Sequence, residues 1–142
     1  MSRLALAALG IALAATAAAE PPPRHDYVLH CAGCHKLDGT GSARVPALIG
    51  VDRLLARPGG RAYLLGVPGV AQAPLSDARL AALMNWIAGS FGDGVPQPPF
   101  SGAEVAHLRT TPLRDPGRVR ASVLAGMDGG GDPAEAAGSL SR

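Results

Sequence analysis

The chain has 142 residues, enough for one domain of ordinary size; 47% of them are hydrophobic but only 4% are aromatic. Thirteen basic residues against eleven acidic ones give a net charge of +2 without a basic run, which argues against nucleic-acid binding. Two cysteines are too few for a disulfide framework, or for a zinc site without further ligands, so neither class of protein is expected.

Residues 1–19 have the pattern of a signal peptide. Arg3 supplies a positive start, an apolar stretch runs from Leu4 to Ala15, and Ala17-Ala18-Ala19 offers the small residues that a signal peptidase reads. The apolar stretch is shorter than the roughly 20 residues that span a bilayer. We therefore predict cleavage before Glu20, a periplasmic location and no membrane span after cleavage, with an uncleaved membrane anchor as the alternative.

The mature chain is expected to divide into a Pro-rich leader, a principal domain, an extension with short helices, and a disordered tail. Proline lacks an amide donor, so the leader cannot form a helix interior. A Gly/Pro linker opens the extension, and a triple glycine opens the tail. The four segments are residues 20–23, 24–91, 92–128 and 129–142.

Helix signals dominate the principal domain, and no segment has a convincing strand pattern. Residues 24–33 are compatible with a helix. The Gly/Pro-rich stretch 37–74 predicts loop with short helices at 52–56 and 61–65. The clearest helix begins after Ser76, whose hydroxyl suits a helix cap, and it ends at Gly89 or Gly92. Its apolar positions recur at helical spacing at Leu80, Leu83, Met84 and Ile87.

Two further helix starts lie in the extension. Ser101 and Glu104 have the spacing of a capping box, which predicts a helix to about His107. Asp115-Pro116 places a capping residue before a proline at the first turn, which predicts a helix to Ala125. The sequence therefore predicts an all-α fold with a C-terminal helical extension.

Both cysteines lie in the motif His30-Cys31-Ala32-Gly33-Cys34-His35. C-x-x-C-H is the attachment sequence of haem c. On one helical turn Cys31 and Cys34 project to the same side, where each can form a thioether with a haem vinyl group, and His35 can bind the iron. A zinc site would need two more ligands, a thioredoxin-like pair would need a βαβ unit, and a plain disulfide leaves His35 unexplained. One covalently bound haem c is therefore predicted.

Over about residues 24–91 the sequence resembles the class I, single-haem cytochromes c. In that family a glycine-rich stretch follows the haem histidine, and a proline carbonyl then accepts a hydrogen bond from its ring. The resemblance gives Pro46 this role toward His35. It also matches the Trp86 helix to the family's last helix, against which Tyr27 or Val28 would pack. It implies three principal helices around one haem, and electron transfer rather than catalysis.

The expected sixth iron ligand is missing from its usual loop. Class I cytochromes usually take a methionine from the loop before the last helix, but residues 64–74 contain none, and Val67-Pro68 stands at the position of the family's Met-Pro pair. An iron position that is open or holds water is one alternative. The protein candidates are Met84, which also has core spacing, Gln72, His25, His107 and Met127.

Three functions remain open at this point. The first is one-electron transfer between a periplasmic dehydrogenase, or another redox partner, and a downstream acceptor. The second is a ligand-binding, five-coordinate haem protein acting as a sensor or weak peroxidase, although the loop shows no acid–base pair for peroxidase chemistry. The third is a haem subunit of a larger redox complex, with the extension covering the haem domain or docking the partner. Candidates to pair with haem propionates are Arg44, Arg53, Arg57 and Arg61.

Overall fold

The computed structural model describes residues 21–126, and within that range the protein is all-α, as predicted. The eight helices of this range are α1 (Pro23–His30), α2 (Ala32–His35), α3 (Asp52–Leu55), α4 (Gly60–Gly66), α5 (Pro68–Ala71), α6 (Asp77–Phe91), α7 (Gly102–Leu108) and α8 (Pro116–Ala125). None of these helices is long and apolar enough to cross a membrane. The predicted signal peptide, the predicted disordered tail and Met127 lie outside the described residues.

Helix α6 is the longest element, and its predicted start is confirmed. The Ser76 hydroxyl accepts a hydrogen bond from the backbone N–H of Arg79 at 3.3 Å, which satisfies one of the free amides of the first turn. The helix ends at Gly92 rather than Gly89. The apolar positions predicted from the helical spacing are all buried, and they are Leu80, Leu83, Met84 and Ile87.

Helix α1 packs against α6 through an aromatic cluster. Tyr27, not Val28, makes this contact: its ring centroid lies 5.2 Å from that of Trp86 and 5.2 Å from that of Phe91. The Tyr27 hydroxyl donates to the backbone carbonyl of Lys36 at 2.5 Å, so the ring also holds the chain just after α2. The motif is thereby fixed to the longest helix.

The two short helices predicted between residues 37 and 74 are present as α3 and α4, and α5 is an additional one. Pro68-Gly69 suggested a break in the sequence, but proline is well suited to the first turn of a helix, where its missing N–H costs nothing. Gly60 begins α4 in close contact with α3. A Cβ atom at this position would lie 1.8 Å from the carbonyl oxygen of Leu54, so only glycine fits there.

The extension shares the core of the principal domain. Phe100, Val105 and Val123 are each 4% exposed or less and belong to the same apolar cluster as the buried side of α6. The Asn85 side chain fixes the entry to α7, because its amide exchanges two hydrogen bonds with the backbone of Phe100, at 2.8 and 3.0 Å. Residues 92–126 therefore pack on residues 24–91 as part of one hydrophobic core.

Candidate functional site

The C-x-x-C-H motif forms one helical turn after α1. The carbonyl oxygen of Cys31 accepts from the backbone N–H groups of Cys34 at 3.1 Å and His35 at 2.9 Å. Residues four apart on a helix share a face, and Cys31 and His35 both line one cavity. Cys34 is exposed and is not among the residues that line it.

The His35 ring is held by a hydrogen bond to the backbone of Pro46. Its Nδ1 lies 3.0 Å from the carbonyl oxygen of Pro46, so a proton on Nδ1 donates to that oxygen and Nε2 keeps its lone pair. Burial lowers the pKa of His35, and the hydrogen bond to Pro46 opposes this effect in part. The imidazole is therefore neutral at neutral pH, which is the state that binds a metal. Iron binding by His35 remains a prediction.

Gly41 allows the chain to bring Pro46 back to His35. Its φ is +69°, and a Cβ atom there would lie 2.3 Å from the carbonyl oxygen of Val45 and 2.8 Å from that of Pro46. A side chain would therefore push away the carbonyl that orients the imidazole. The backbone N–H of Gly41 donates to the carbonyl of His35 at 3.1 Å, which closes the loop on the motif.

The environment of Cys31 does not suit a redox-active thiol. Burial, followed by the charges of Asp26 and Cys34, raises the pKa of Cys31 to about 11. Reactive cysteines of C-x-x-C redox proteins have a lowered pKa instead, because the thiolate is the nucleophile. The raised pKa of Cys31 therefore disfavours a thioredoxin-like function, and the two cysteines form no disulfide.

The cavity that His35 and Cys31 line has a mostly apolar wall. Its volume is about 340 Å³, within the range of small-molecule and cofactor sites. The rest of its wall is formed by the loop before α3 and by five helices, which are α3, α4, α5, α6 and α8. The apolar lining side chains are Val45, Pro46, Ala47, Leu48, Val51, Leu54, Leu64, Val67, Val70, Met84, Ile87 and Pro116. One thiol, Cys31, and one imidazole, His35, therefore meet an apolar wall at this cavity, while the second thiol, Cys34, lies outside its lining.

The structure separates the candidate sixth ligands into two groups. Met84 is buried and lines the cavity, as does Val67 at the position of the family's methionine. Gln72, His25 and His107 are not among the residues that line the cavity. Among the sixth-ligand candidates from the sequence that lie within residues 21–126, Met84 is thus the one that lines the cavity.

Two polar residues of the cavity wall were not predicted from the sequence, Tyr63 on α4 and Arg120 on α8. Among the four arginines expected to meet propionates, only Arg44 lines the cavity. Arg61 is bound elsewhere, with Nε and Nη2 each 2.5 Å from a carboxylate oxygen of Glu104. The sequence gives only a weak indication of Arg120. Arg120 lies four residues after Pro116 and so on the same face of the helix, but only the packing of α8 shows that this face lines the cavity.

Comparison with characterised proteins identifies two relatives, both named cytochrome c-552 and both from Thermus thermophilus. The first is 35% identical over 106 residues, which covers 58% of this chain and 81% of the relative. The second, from a specified strain of that species, is also 35% identical over 106 residues, covering 58% of this chain and 72% of the relative. No protein-family model matches the chain, and no solved structure matches it.

Proposed function

The chain belongs to the cytochrome c family, and on that basis we propose that it is an exported electron-transfer protein with one haem c. Cys31 and Cys34 form the thioethers, and His35 binds the iron. The protein would accept electrons from a donor such as a periplasmic dehydrogenase and pass them to a downstream acceptor. The observation that carries the proposal is that Cys31 and His35 line one cavity while Pro46 holds the His35 ring.

The residues around the cavity have separate tasks. When bound, haem c supplies a one-electron iron couple. Pro46 fixes the tautomer of His35 and makes its Nε2 a stronger donor. Val67, Val70 and Ile87 form part of the apolar cavity wall, which would limit the access of water to a bound haem. A wall of this kind disfavours the extra positive charge of the ferric state and so raises the reduction potential.

Covalent attachment is tested by replacing each cysteine in the exported protein. We expect Cys31→Ala and Cys34→Ala to reduce the yield of holoprotein strongly, measured by haem staining on a denaturing gel and by the pyridine haemochrome spectrum. His30→Ala is the matched control, because His30 is exposed, lies in the same motif and does not line the cavity. Normal yields of covalent haem from both cysteine variants would contradict the proposal.

Ligand binding at the iron is the second candidate function, and the valine at position 67 is the observation that favours it. Val67 lines the cavity but has no atom that binds iron. If Met84 binds the iron, the reduced protein has a low-spin spectrum that carbon monoxide leaves unchanged, and Met84→Leu makes it sensitive to carbon monoxide. Leu83→Met is the control, because Leu83 is buried in the same helix and does not line the cavity. Rapid carbon monoxide binding by the unmodified protein would instead support the ligand-binding function.

A further inference from the structure

Arg120 places a guanidinium with an unused donor at the cavity. It lies on α8 and lines the cavity, and its Nε is buried without a hydrogen-bond partner in the described part of the chain. A buried donor that is left unpaired costs about 1–3 kcal/mol, and more when the group is charged. No aspartate or glutamate is among the residues that line this cavity. A group held in the cavity can therefore supply the acceptor that the Arg120 Nε lacks within residues 21–126.

Tyr63 contributes a second polar group to the same wall. Its side chain is buried, at 7% exposure, and it lines the cavity from α4. Burial raises the pKa of Tyr63, and the positive charge of Arg120 opposes that increase in part. A cation and a hydroxyl donor thus face a largely apolar cavity.

We propose that Arg120 binds a propionate carboxylate of the haem through its guanidinium, and that the Tyr63 hydroxyl donates to the same carboxylate. This inference rests on the proposed function and adds to it a role for the extension. Arginine suits a carboxylate because its planar donors match the two oxygens. Helix α8 packs against α3 and α4, which carries Tyr63, and Val123 anchors it in the core. The extension is then a part of the haem site.

The position of the arginines favours a propionate over a small anion bound to the iron. Arg120 is partly exposed although its Nε is buried, and Arg44, the other arginine at the cavity, is exposed. Both charged side chains of the cavity wall are therefore at least partly accessible to solvent. Burying an ionised carboxylate without water or a partner is costly. We therefore expect the propionates of an otherwise apolar haem to be the part that contacts the arginines.

The experiment compares holoprotein carrying Arg120→Gln, Arg120→Lys or Tyr63→Phe with the unmodified holoprotein. We expect Arg120→Gln to shift the propionate bending bands of the resonance Raman spectrum. It should also favour the ferric state by about threefold to tenfold, which lowers the reduction potential by about 28–59 mV at 59 mV per tenfold change. Arg120→Lys should keep most of the reduction potential of the unmodified protein. Tyr63→Phe should shift the propionate bands and leave the reduction potential unchanged. Arg118→Gln is the control, since Arg118 is exposed on α8 and outside the cavity.

Three results would overturn the inference. One is an equal change of potential in Arg120→Gln and Arg118→Gln, and another is an unchanged set of propionate bands in both Arg120→Gln and Tyr63→Phe. The third is a tenfold or larger change in the azide affinity of ferric Arg120→Gln with bands and potential unchanged, which would place the guanidinium at the iron. If Arg120→Gln yields no holoprotein, Arg120→Lys and Tyr63→Phe provide the same Raman test. Absence of covalent haem from the unmodified protein would refute the proposed function itself.

Discussion

Replacing Arg61 by methionine should destabilise the protein by about 2–3 kcal/mol. Arg61 joins α4 to the extension with three contacts: a two-point ion pair with Glu104, a hydrogen bond to the carbonyl of Pro98 at 3.0 Å, and its guanidinium 3.9 Å above the Phe100 ring. Both ionic side chains are 25% exposed, so the pair contributes about 1 kcal/mol. The cation–π contact adds about 0.5–1 kcal/mol and the hydrogen bond about 0.5–1 kcal/mol.

The part of this stability loss that comes from the Arg61–Glu104 ion pair should become smaller as the pH falls. The hydrogen bonds from Arg61 lower the pKa of Glu104 below its usual 4.5, and burial opposes them in part. A carboxyl whose pKa is lowered by folding contributes stability above its unfolded pKa, and that stability is lost as the pH falls through the folded pKa. The cost of Arg61→Met should therefore be complete at neutral pH and should fall by about 1 kcal/mol, the contribution of the ion pair, at a pH well below 4.5.

Urea unfolding followed by circular dichroism at both pH values measures this difference, since urea, unlike guanidinium, does not screen charges. Arg53→Met is the matched control, because Arg53 is exposed and forms no ion pair within residues 21–126; its cost should stay within about 0.5 kcal/mol. Glu104→Gln should cost about 1 kcal/mol at neutral pH and almost nothing in acid. Equal costs for Arg61→Met at the two pH values, or a cost no larger than that of Arg53→Met, would refute the reasoning.

Three further substitutions test the core and the helix caps by the same urea assay. Asp26→Asn should cost about 1.5–3 kcal/mol, because Asp26 is 2% exposed and forms an ion pair with Arg79 that holds α1 on α6; a cost below about 1 kcal/mol would contradict the pairing. Gly60→Ala should prevent folding or cost more than about 4 kcal/mol, since its Cβ would overlap a backbone carbonyl, whereas Gly69→Ala, with no atom within 4 Å of the added Cβ, should be nearly neutral; similar costs would refute the steric argument. Ser76→Ala should cost about 1 kcal/mol through loss of the α6 cap, and an unchanged unfolding midpoint would contradict that role.

Local signals in the sequence were sufficient for the helices and for the motif. The caps at Ser76, Ser101 and Asp115 each act within three residues, and each starts a helix in the structure. Helical spacing depends on the same short range, and it correctly identified the buried side of α6. The contact between His35 and Pro46 spans 11 residues and came from the family resemblance, not from the residues themselves.

Contacts across longer sequence distances could not be predicted. Ser101 and Glu104 have the spacing of a capping box, yet only the serine caps the helix, because the Glu104 carboxylate binds Arg61, 43 residues away in sequence. The sequence therefore suggests a propionate as the partner of Arg61, whereas the structure places that partner in the extension. The position of Arg120 depends in the same way on how α8 packs, and no local pattern encodes that packing.

The packing of the extension also determines how a docking role for it can be tested. Deleting the chain after Phe91 would remove Phe100, Val105 and Val123 from the core, and each buried side chain of this kind contributes about 1.5–3 kcal/mol. The sum is comparable with the whole stability of a small domain, so loss of reactivity in a truncated protein would report unfolding and not a lost interface. A partner that binds the extension should be sought with substitutions on its exposed face, such as His107→Ala, which leave the core intact. Reduced electron transfer to a partner, with unchanged urea stability and reduction potential, would then identify an interface that deletion could not distinguish from a collapsed core.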